Sequence, residues 1–378
     1  MATVNPSMSG AEEVRGDTSP PGERAGGDLP LAGYTTLRLG GPATGLVVAR
    51  QPDELTAAVR AADAGGHRLL VLGGGSNLVI ADEGFAGQVV RIATKGRRYD
   101  SVGDGLVQLT AEAGEDWDEV VADAVRQGLG GLECLSGIPG LTGATPVQNV
   151  GAYGVEVSDL LVSVDLLDRG TGRVRTVPAG ELGLTYRNSV LKHNAAAVVL
   201  RARFLLRDGG RSAPIKYAEL ARTLDAEPGT QVDVASAREA VLALRRGKGM
   251  VLDAADHDTW SAGSFFTNPI VDRADLPEVL ARISAAVGPD QGVPQYPAAD
   301  GGTKLSAAWL IERAGFAKGH PGPGGRVRLS TKHTLALTNR GAATTRDLLI
   351  LAREVRDGVR VAFGVSLAPE PVLVDCSL

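Results

Sequence analysis

In the first half of the chain, short apolar runs alternate with glycine-punctuated breaks, and few stretches keep a helical period. Residues 34–48 read as strand-like pieces interrupted by Gly40-Gly41-Pro42. Pro52 then opens an amphipathic segment with Leu55, Val59 and Ala62 on one face, and Gly65-Gly66 stops it, which predicts a helix. The continuous apolar run Leu69-Leu70-Val71-Leu72 predicts a buried strand that leads straight into Gly73-Gly74-Gly75-Ser76-Asn77. A second unit repeats the order: strands up to Thr110, a helix near 117–127, and a glycine-rich loop from Gly128 to Gly154. Alternating segments at about 157–207, with Arg169-Gly170-Thr171-Gly172 between two of them, predict hairpins.

The pattern changes after Asp208-Gly209-Gly210. Residues 235–244 and 306–314 keep a helical period, the latter with Ala307, Leu310 and Ile311 facing inward. The clearest helix comes last. Thr344 and Asp347 can form a capping box, Leu348, Ala352, Val355 and Val359 fall on one stripe, and Gly364 stops it. The fold class expected is α+β, with a tail at 1–28, a first domain over 29–209 and a second over 210–378. The tail is rich in Ser, Gly, Pro and Glu and lacks an apolar core, so it is read as disordered and not as a signal peptide.

A net charge of -5 provides no basic field for nucleic acid or anionic lipid, so neither is an expected partner. No apolar run is long enough to span a bilayer, and a cytoplasmic location is expected. Two cysteines, Cys134 and Cys376, are too few for a disulfide framework or a cysteine metal site, and no metal is expected. A monomer is the expected state.

The 50 glycines cluster, and clustered glycine marks backbone that turns sharply or approaches a ligand closely. Gly73–Asn77 follows an apolar strand, as loops that aim amides at phosphate do. The dinucleotide spacing G-x-G-x-x-G is absent, because Leu78 stands where the third glycine would be. The second loop runs Gly137-Ile138-Pro139-Gly140-Leu141-Thr142-Gly143-Ala144-Thr145-Pro146-Val147-Gln148-Asn149-Val150-Gly151-Ala152-Tyr153-Gly154. So much glycine cannot fill a core, whereas the interspersed hydroxyls and amides suit a large, planar, phosphorylated cofactor.

Together, Gly-Gly-Gly-Ser-Asn and Ile-Pro-Gly with Gln-Asn-Val-Gly-Ala-Tyr-Gly resemble the UDP-N-acetylenolpyruvoylglucosamine reductase family, of the vanillyl-alcohol-oxidase-like flavoprotein class. The resemblance extends from about Leu31 to Val374. It implies that FAD is held by Gly73, Gly74, Gly75, Ser76, Asn77, Gly137, Pro139, Gly140, Gly143, Ala144, Thr145, Gln148, Asn149, Gly151, Tyr153 and Gly154. It also implies NADPH as reductant and a UDP-sugar as substrate. Neither His nor Cys stands inside Gly73–Asn77, so covalent flavin attachment there is not expected.

Three motifs bear on the chemistry. In Tyr186-Arg187-Asn188-Ser189, an arginine fork can orient a carboxylate, although such a pair is often a surface ion pair. Gly263-Ser264-Phe265-Phe266-Thr267-Asn268-Pro269 can also be read as an aromatic core plug. Leu367-Ala368-Pro369-Glu370-Pro371 holds a glutamate between two prolines that restrict its backbone, which is compatible with a rigid exposed turn. The resemblance implies that Arg187, Ser264 and Glu370 are catalytic, with Ser264 the proton donor, and that Tyr186, Tyr217, Lys248 and Asn268 bind substrate. The segment around Lys248 departs from the family pattern. The intact triad weighs against a catalytically silent binding module and against another flavin oxidase of this fold. Gly301-Gly302-Thr303-Lys304 lacks P-loop spacing, which weighs against an ATPase.

Overall fold

The computed structural model describes residues 24–298 and 301–378. Seven strands come first: β1 (Arg24–Pro30), β2 (Pro42–Ala49), β3 (Leu69–Leu72), β4 (Leu78–Ile80), β5 (Phe85–Ile92), β6 (Arg97–Gly103) and β7 (Leu106–Glu112). Strand β1 lies partly within the stretch read as tail; residues 1–23 of that reading fall outside the described residues. The first sheet has the order β1-β2-β5-β3, with β2 and β3 both parallel to β5. Parallel strands need a crossover, and helix α1 (Pro52–Ala64) lies between β2 and β3. Its predicted stripe, Leu55 and Val59, packs with Ala49, Val90 and Ile92. Gln51 and Glu54 form a capping box at its start.

Helix α2 (Trp117–Arg126) follows, and then the short pair β8 (Gly151–Ala152) and β9 (Val155–Glu156). Strands β10 (Leu161–Asp168), β11 (Val174–Pro178) and β12 (Ala197–Arg207) complete an antiparallel second sheet, β11-β10-β12-β7-β6. The β10–β11 turn is the predicted Arg169–Gly172, with the Asp168 carboxylate accepting from the Thr171 amide and hydroxyl. Residues 128–150 contain only short 3-10 turns, yet their backbone is pinned. Gly143 donates to Ala113, Thr142 to Glu115, and Gly140 accepts from Trp117, so the glycine-rich loop is fastened to the β7–α2 connection.

The second half carries α3 (Ala218–Thr223), α4 (Val234–Gly247), α5 (Leu276–Val287), α6 (Ala307–Arg313) and α7 (Thr345–Phe363). Its strands are β13 (Ile270–Val271), β14 (Gln295–Pro297), β15 (Thr303–Leu305), β16 (Val327–Leu329), β17 (Leu337–Asn339) and β18 (Val372–Val374). Helices α4, α6 and α7 stand where the periodicity predicts them. Helix α3 is too short to show a period, and α5 was not read from the sequence. Leu220, Val234 and Val241 of α3 and α4 share a core with the five-stranded sheet. A separate core gathers Phe265, Phe266, Leu310, Val355 and Phe363 with Leu37 and Leu39. Among the described residues no helix is long and apolar enough to cross a membrane.

Helix α7 joins the two halves at its N-terminus. The Thr345 and Arg346 amides donate to Asp82 at 2.7 and 2.9 Å, which satisfies first-turn donors with a carboxylate from the end of β4. Thr344 and Asp347 form the predicted capping box, and Arg326 donates two hydrogen bonds to Asp347 at 2.8 and 2.6 Å. The Arg326 bonds, with the Thr344 cap, hold the Asp347 carboxyl down at about 2. A folded-state pKa below the unfolded one means that this contribution is complete above pH ~4 and is lost as pH falls toward ~2. Asp347→Ala should lower stability by about 1–2 kcal/mol at neutral pH. In urea titrations, its deficit relative to the parent should narrow across that acidic window; a constant deficit would assign the loss to packing.

Candidate active site

Strand β3 enters Gly73–Asn77 with Gly75 at φ +61, where a Cβ would run into the Tyr34 carbonyl. At Gly74 an added Cβ would lie 2.8 Å from the Gly140 Cα, so the two glycine-rich loops meet backbone to backbone. Beside this contact lies a cleft of about 440 Å³. Gly73, Gly74, Gly75, Ser76, Asn77, Pro139, Gly140, Gly143, Ala144, Thr145 and Gln148 line it, as expected for a cofactor site. Its apolar wall comes from Leu69, Val71, Ile138, Leu141, Val198 and Val199.

Gly137, Asn149, Gly151, Tyr153 and Gly154 do not line this cleft. Gly137 donates to Asp118 at 2.6 Å. Asn149 is fully buried at φ +46, donating to Glu156 and the Thr185 carbonyl and accepting from the Ser158 amide. Gly151 offers its carbonyl to Arg187 at 2.6 Å. The Tyr153 ring meets Tyr217 edge to face at 5.4 Å, and Gly154 lets the Lys216–Tyr217 backbone come close. These five hold the loop in shape and seat its neighbours.

Arg187 itself has φ +53, in a turn closed by reciprocal hydrogen bonds between Thr185 and Asn188. Its guanidinium donates to the Asn149 and Gly151 carbonyls, lies 3.7 Å from Glu156 Oε1, and approaches Glu370 Oε1 at 3.3 Å through Nε. Glu370 arrives from the opposite end of the sequence. Strand β18 pairs in parallel with β4, and the Val372 amide donates to Asn77. The Glu370 amide donates to Phe265, and Phe266 bridges Pro369, which brings the Ser264 loop alongside the Glu370 segment. Asn77 donates to Gln148 Oε1 at 2.5 Å and to the Glu370 carbonyl at 3.4 Å. Loop one, loop two and the C-terminal segment therefore meet at a single side chain.

Both Phe265 and Phe266 are buried in the second core and stack edge to face at 5.1 Å. The plug reading thus holds for the aromatics, while Ser264 and Asn268 flank them. Asn268 Oδ1 accepts from the Ala307 amide at the start of α6. The Tyr186 ring lies against the Arg187 guanidinium and carries the Lys304 ammonium 4.1 Å from its centroid. Lys248 pairs with Glu219 at 2.5 Å and sits 5.8 Å from the Tyr153 ring, so Lys248, Tyr217 and Tyr153 form a second group.

Burial pushes the Glu370 carboxyl up, with Arg187 and then Lys192 opposing it. Burial likewise raises the Tyr186 phenol and lowers the Lys192 ammonium. Sequence reasoning missed Lys192, which lines the cleft, Glu156, and Lys304. Lys304 stood in the glycine-containing segment weighed only as a phosphate loop. Lys192 follows the Tyr186–Ser189 motif closely, a signal that was available. Glu156 gave none.

A pinned glycine cleft beside a partly exposed arginine–glutamate pair fits a flavin-dependent oxidoreductase. Residues 43–178 match the family described as FAD binding domain, and residues 255–374 match the C-terminal domain of UDP-N-acetylenolpyruvoylglucosamine reductase. A UDP-N-acetylenolpyruvoylglucosamine reductase of Saccharopolyspora erythraea is 80% identical over 98% of this chain and 100% of its own length. One of Nocardia farcinica is 58% identical over 97% of this chain and 94% of its own. The crystal structure of the Thermus caldophilus enzyme aligns with a TM-score of 0.61 at 26% identity, over 93% of this chain and 98% of that one. The chain belongs to the UDP-N-acetylenolpyruvoylglucosamine reductase family, flavoenzymes of peptidoglycan precursor synthesis.

The cleft fits FAD: it has apolar walls for a planar ring and a glycine-rich floor, closed by backbone contact between the two loops, that can bring amides close to a diphosphate. Gly74→Val should therefore force the two loops apart. The purified variant should carry at least roughly tenfold less FAD than the parent by absorbance near the flavin bands. Gly180→Ala, with nothing within 4 Å of the new Cβ, is the control. Equal flavin content in both would contradict the backbone-contact account.

Proposed function

We propose that this protein reduces UDP-N-acetylglucosamine enolpyruvate to UDP-N-acetylmuramate, with NADPH as reductant, in the cytoplasm. The observation that supports it most is the approach of Arg187 Nε to Glu370 Oε1 at 3.3 Å, beside the strand-like contact that carries Ser264. The Phe265–Phe266 contact with Pro369–Glu370, and the Asn77 hydrogen bond to the Glu370 carbonyl, support one site for the three motifs next to the flavin cleft. Residues 29–209 are proposed to hold the cofactor and 210–378 the sugar nucleotide, with the C-terminal segment returning to the chemistry along β18. Tyr186, Tyr217, Lys248 and Asn268 are the proposed substrate contacts. For cofactor contacts, the eleven cleft-lining residues form the inner set, and Gly137, Asn149, Gly151, Tyr153 and Gly154 support them.

FAD held by the cleft-lining residues would supply the hydride transfer between NADPH and C3 of the enolpyruvyl group. The protein's part is charge and proton. Negative charge on C2 and the adjacent carboxylate faces the Arg187 fork, whose two donors orient it. Glu370, whose burial favours the protonated form, can share a proton with that oxygen without adding a competing charge. Ser264 then gives a proton to C2. A hydroxyl is a weak acid, and the step is feasible because a carbanionic C2 is a strong base.

The anaerobic half-reactions test this directly. NADPH should bleach the flavin, and the enolpyruvyl sugar nucleotide should restore its colour; no recoloration would sink the substrate assignment. Ser264→Ala should leave bleaching nearly unchanged and slow recoloration by roughly 10²–10⁴, with Ser264→Cys recovering part of the loss. If alanine impairs bleaching equally, Ser264 serves packing and the proton donor lies elsewhere. Arg187→Lys should slow recoloration by roughly 10²–10³, because a point charge cannot reproduce the fork that spans Gly151 and Glu370. Near-parental turnover would make Arg187 structural.

A further inference from the structure

The chemistry above leaves a half-buried cation at the cleft unused. Lys192 lines the cofactor cleft, and its Nζ donates to the Arg187 carbonyl at 3.0 Å. It therefore stands where the cleft meets the Arg187–Glu370 pair. A hydride can pass only between atoms in contact, so the redox-active part of the cofactor must occupy that same end. Arg169 also lines the wall, but its guanidinium is closed off by three hydrogen bonds to Asp63 and one to the Ala195 carbonyl. The Lys192 ammonium bonds to a neutral carbonyl, and its charge is faced by the Glu370 carboxyl without a direct ion pair between them.

We propose that Lys192 is a positioning residue that braces the Arg187 peptide and holds a positive charge against the redox-active end of the cofactor, favouring its reduced form. This rests on the flavin reading of the cleft. Delivery of a hydride from the reduced nicotinamide nucleotide adds two electrons and one proton. The site thus gains one unit of negative charge, and the nucleotide leaves with one unit less. In a half-buried cleft a fixed cation interacts strongly with that charge. The bracing is geometric. Arg187 sits at φ +53, where a non-glycine residue is held only by its surroundings, and Lys192 holds the carbonyl side of that residue. Ser189 ties the same turn to loop two through the Val147 carbonyl at 2.5 Å. Burial tends to discharge Lys192, and the opposite charge of Glu370 counters this.

The test is the flavin reduction equilibrium measured against a reference dye in the FAD-loaded protein, which needs no sugar nucleotide. Lys192→Gln keeps a donor for the Arg187 carbonyl and removes the charge; Lys192→Met removes both; Lys192→Arg keeps both. Gln and Met should each disfavour reduction at least tenfold, about 30 mV for a two-electron couple. Arg should restore most of this. Recoloration by substrate should slow further in Met than in Gln, since only Met also releases Arg187. A Gln variant with parental potential would overturn the charge role, whatever its turnover. Loss of FAD from Gln and Arg alike would make Lys192 a packing residue and overturn the proposal too. A parent protein without flavin fails at an earlier step and would sink the functional reading itself.

Discussion

The site depends on the pairing of β18 with β4, two short strands from opposite ends of the sequence. A parallel pair has no turn of its own to fix its register, so the register here comes from what flanks it. Asp82, just beyond β4, accepts the first amides of α7. The nineteen residues of α7 then span the second core before the chain turns back at Gly364. The glycine cap at φ +74 ends the helix, and the prolines around Glu370 limit the conformations open to the return. Strand pairing, capping and proline stiffness thus all converge on where one carboxyl lies.

Once there, that carboxyl sits among groups whose charges partly cancel. Glu370 and Glu156 flank Arg187, while Lys192 and Lys304 approach from the cleft wall and from β15. Arg187 makes good use of donor geometry: two backbone carbonyls take its terminal nitrogens, and Nε is directed to Glu370. An arginine so fixed needs little reorganisation when charge appears beside it, which is the condition under which oriented dipoles stabilise a developing anion. Burial works on the glutamate in the opposite sense, raising its proton affinity, so the pair offers one fixed cation and one exchangeable proton.

Much of this was legible in sequence, and the residues show why. The long helices α1 and α7 announced themselves through stripe, cap and stop, because those features are local. The glycine loops could be found because clustered glycine marks special backbone whatever surrounds it, whereas Arg187, Ser264 and Glu370 drew roles only from the family resemblance, since each motif alone also reads as an ion pair, a core plug or a rigid turn. Lys192 was missed although it stands only five residues beyond Arg187, whereas the contact of Lys304 with Tyr186 comes from long-range packing. Lys304 stands on a three-residue strand and meets Tyr186 only after two cores have assembled. Helices α3 and α4 follow a sharp Gly209-Gly210 break, yet they bury Leu220 and Val241 in the core of the preceding sheet. A composition break marks a turn in the chain and says nothing about which core the next residue joins.

The glycines divide along the same line. Gly74 and Gly140 meet at the cleft floor, where a Cβ on Gly74 would lie 2.8 Å from the Gly140 Cα and one on Gly140 2.7 Å from the Ser76 Oγ, so side chains there would part the two loops that form the floor. Gly143 and Gly151 look alike in sequence but face inward: a Cβ would lie 2.5 Å from the Ala113 Cβ in one case and 2.8 Å from the Glu156 Cγ in the other. Their smallness lets the loop lie flat on the β7–α2 connection and lets Arg187 reach a backbone carbonyl. Glycine in such a loop therefore permits closeness within the protein at two places, between the two loops at the cleft floor and between the second loop and the scaffold beneath it. Close packing of that kind, with Thr142, Thr145, Asn149 and Val150 buried beneath it, holds the loop in a defined conformation. The glycine-rich segment is consequently part of the scaffold, and this allows Asn77 to link Gln148 and the Glu370 carbonyl through a stretch that sequence alone would class as irregular.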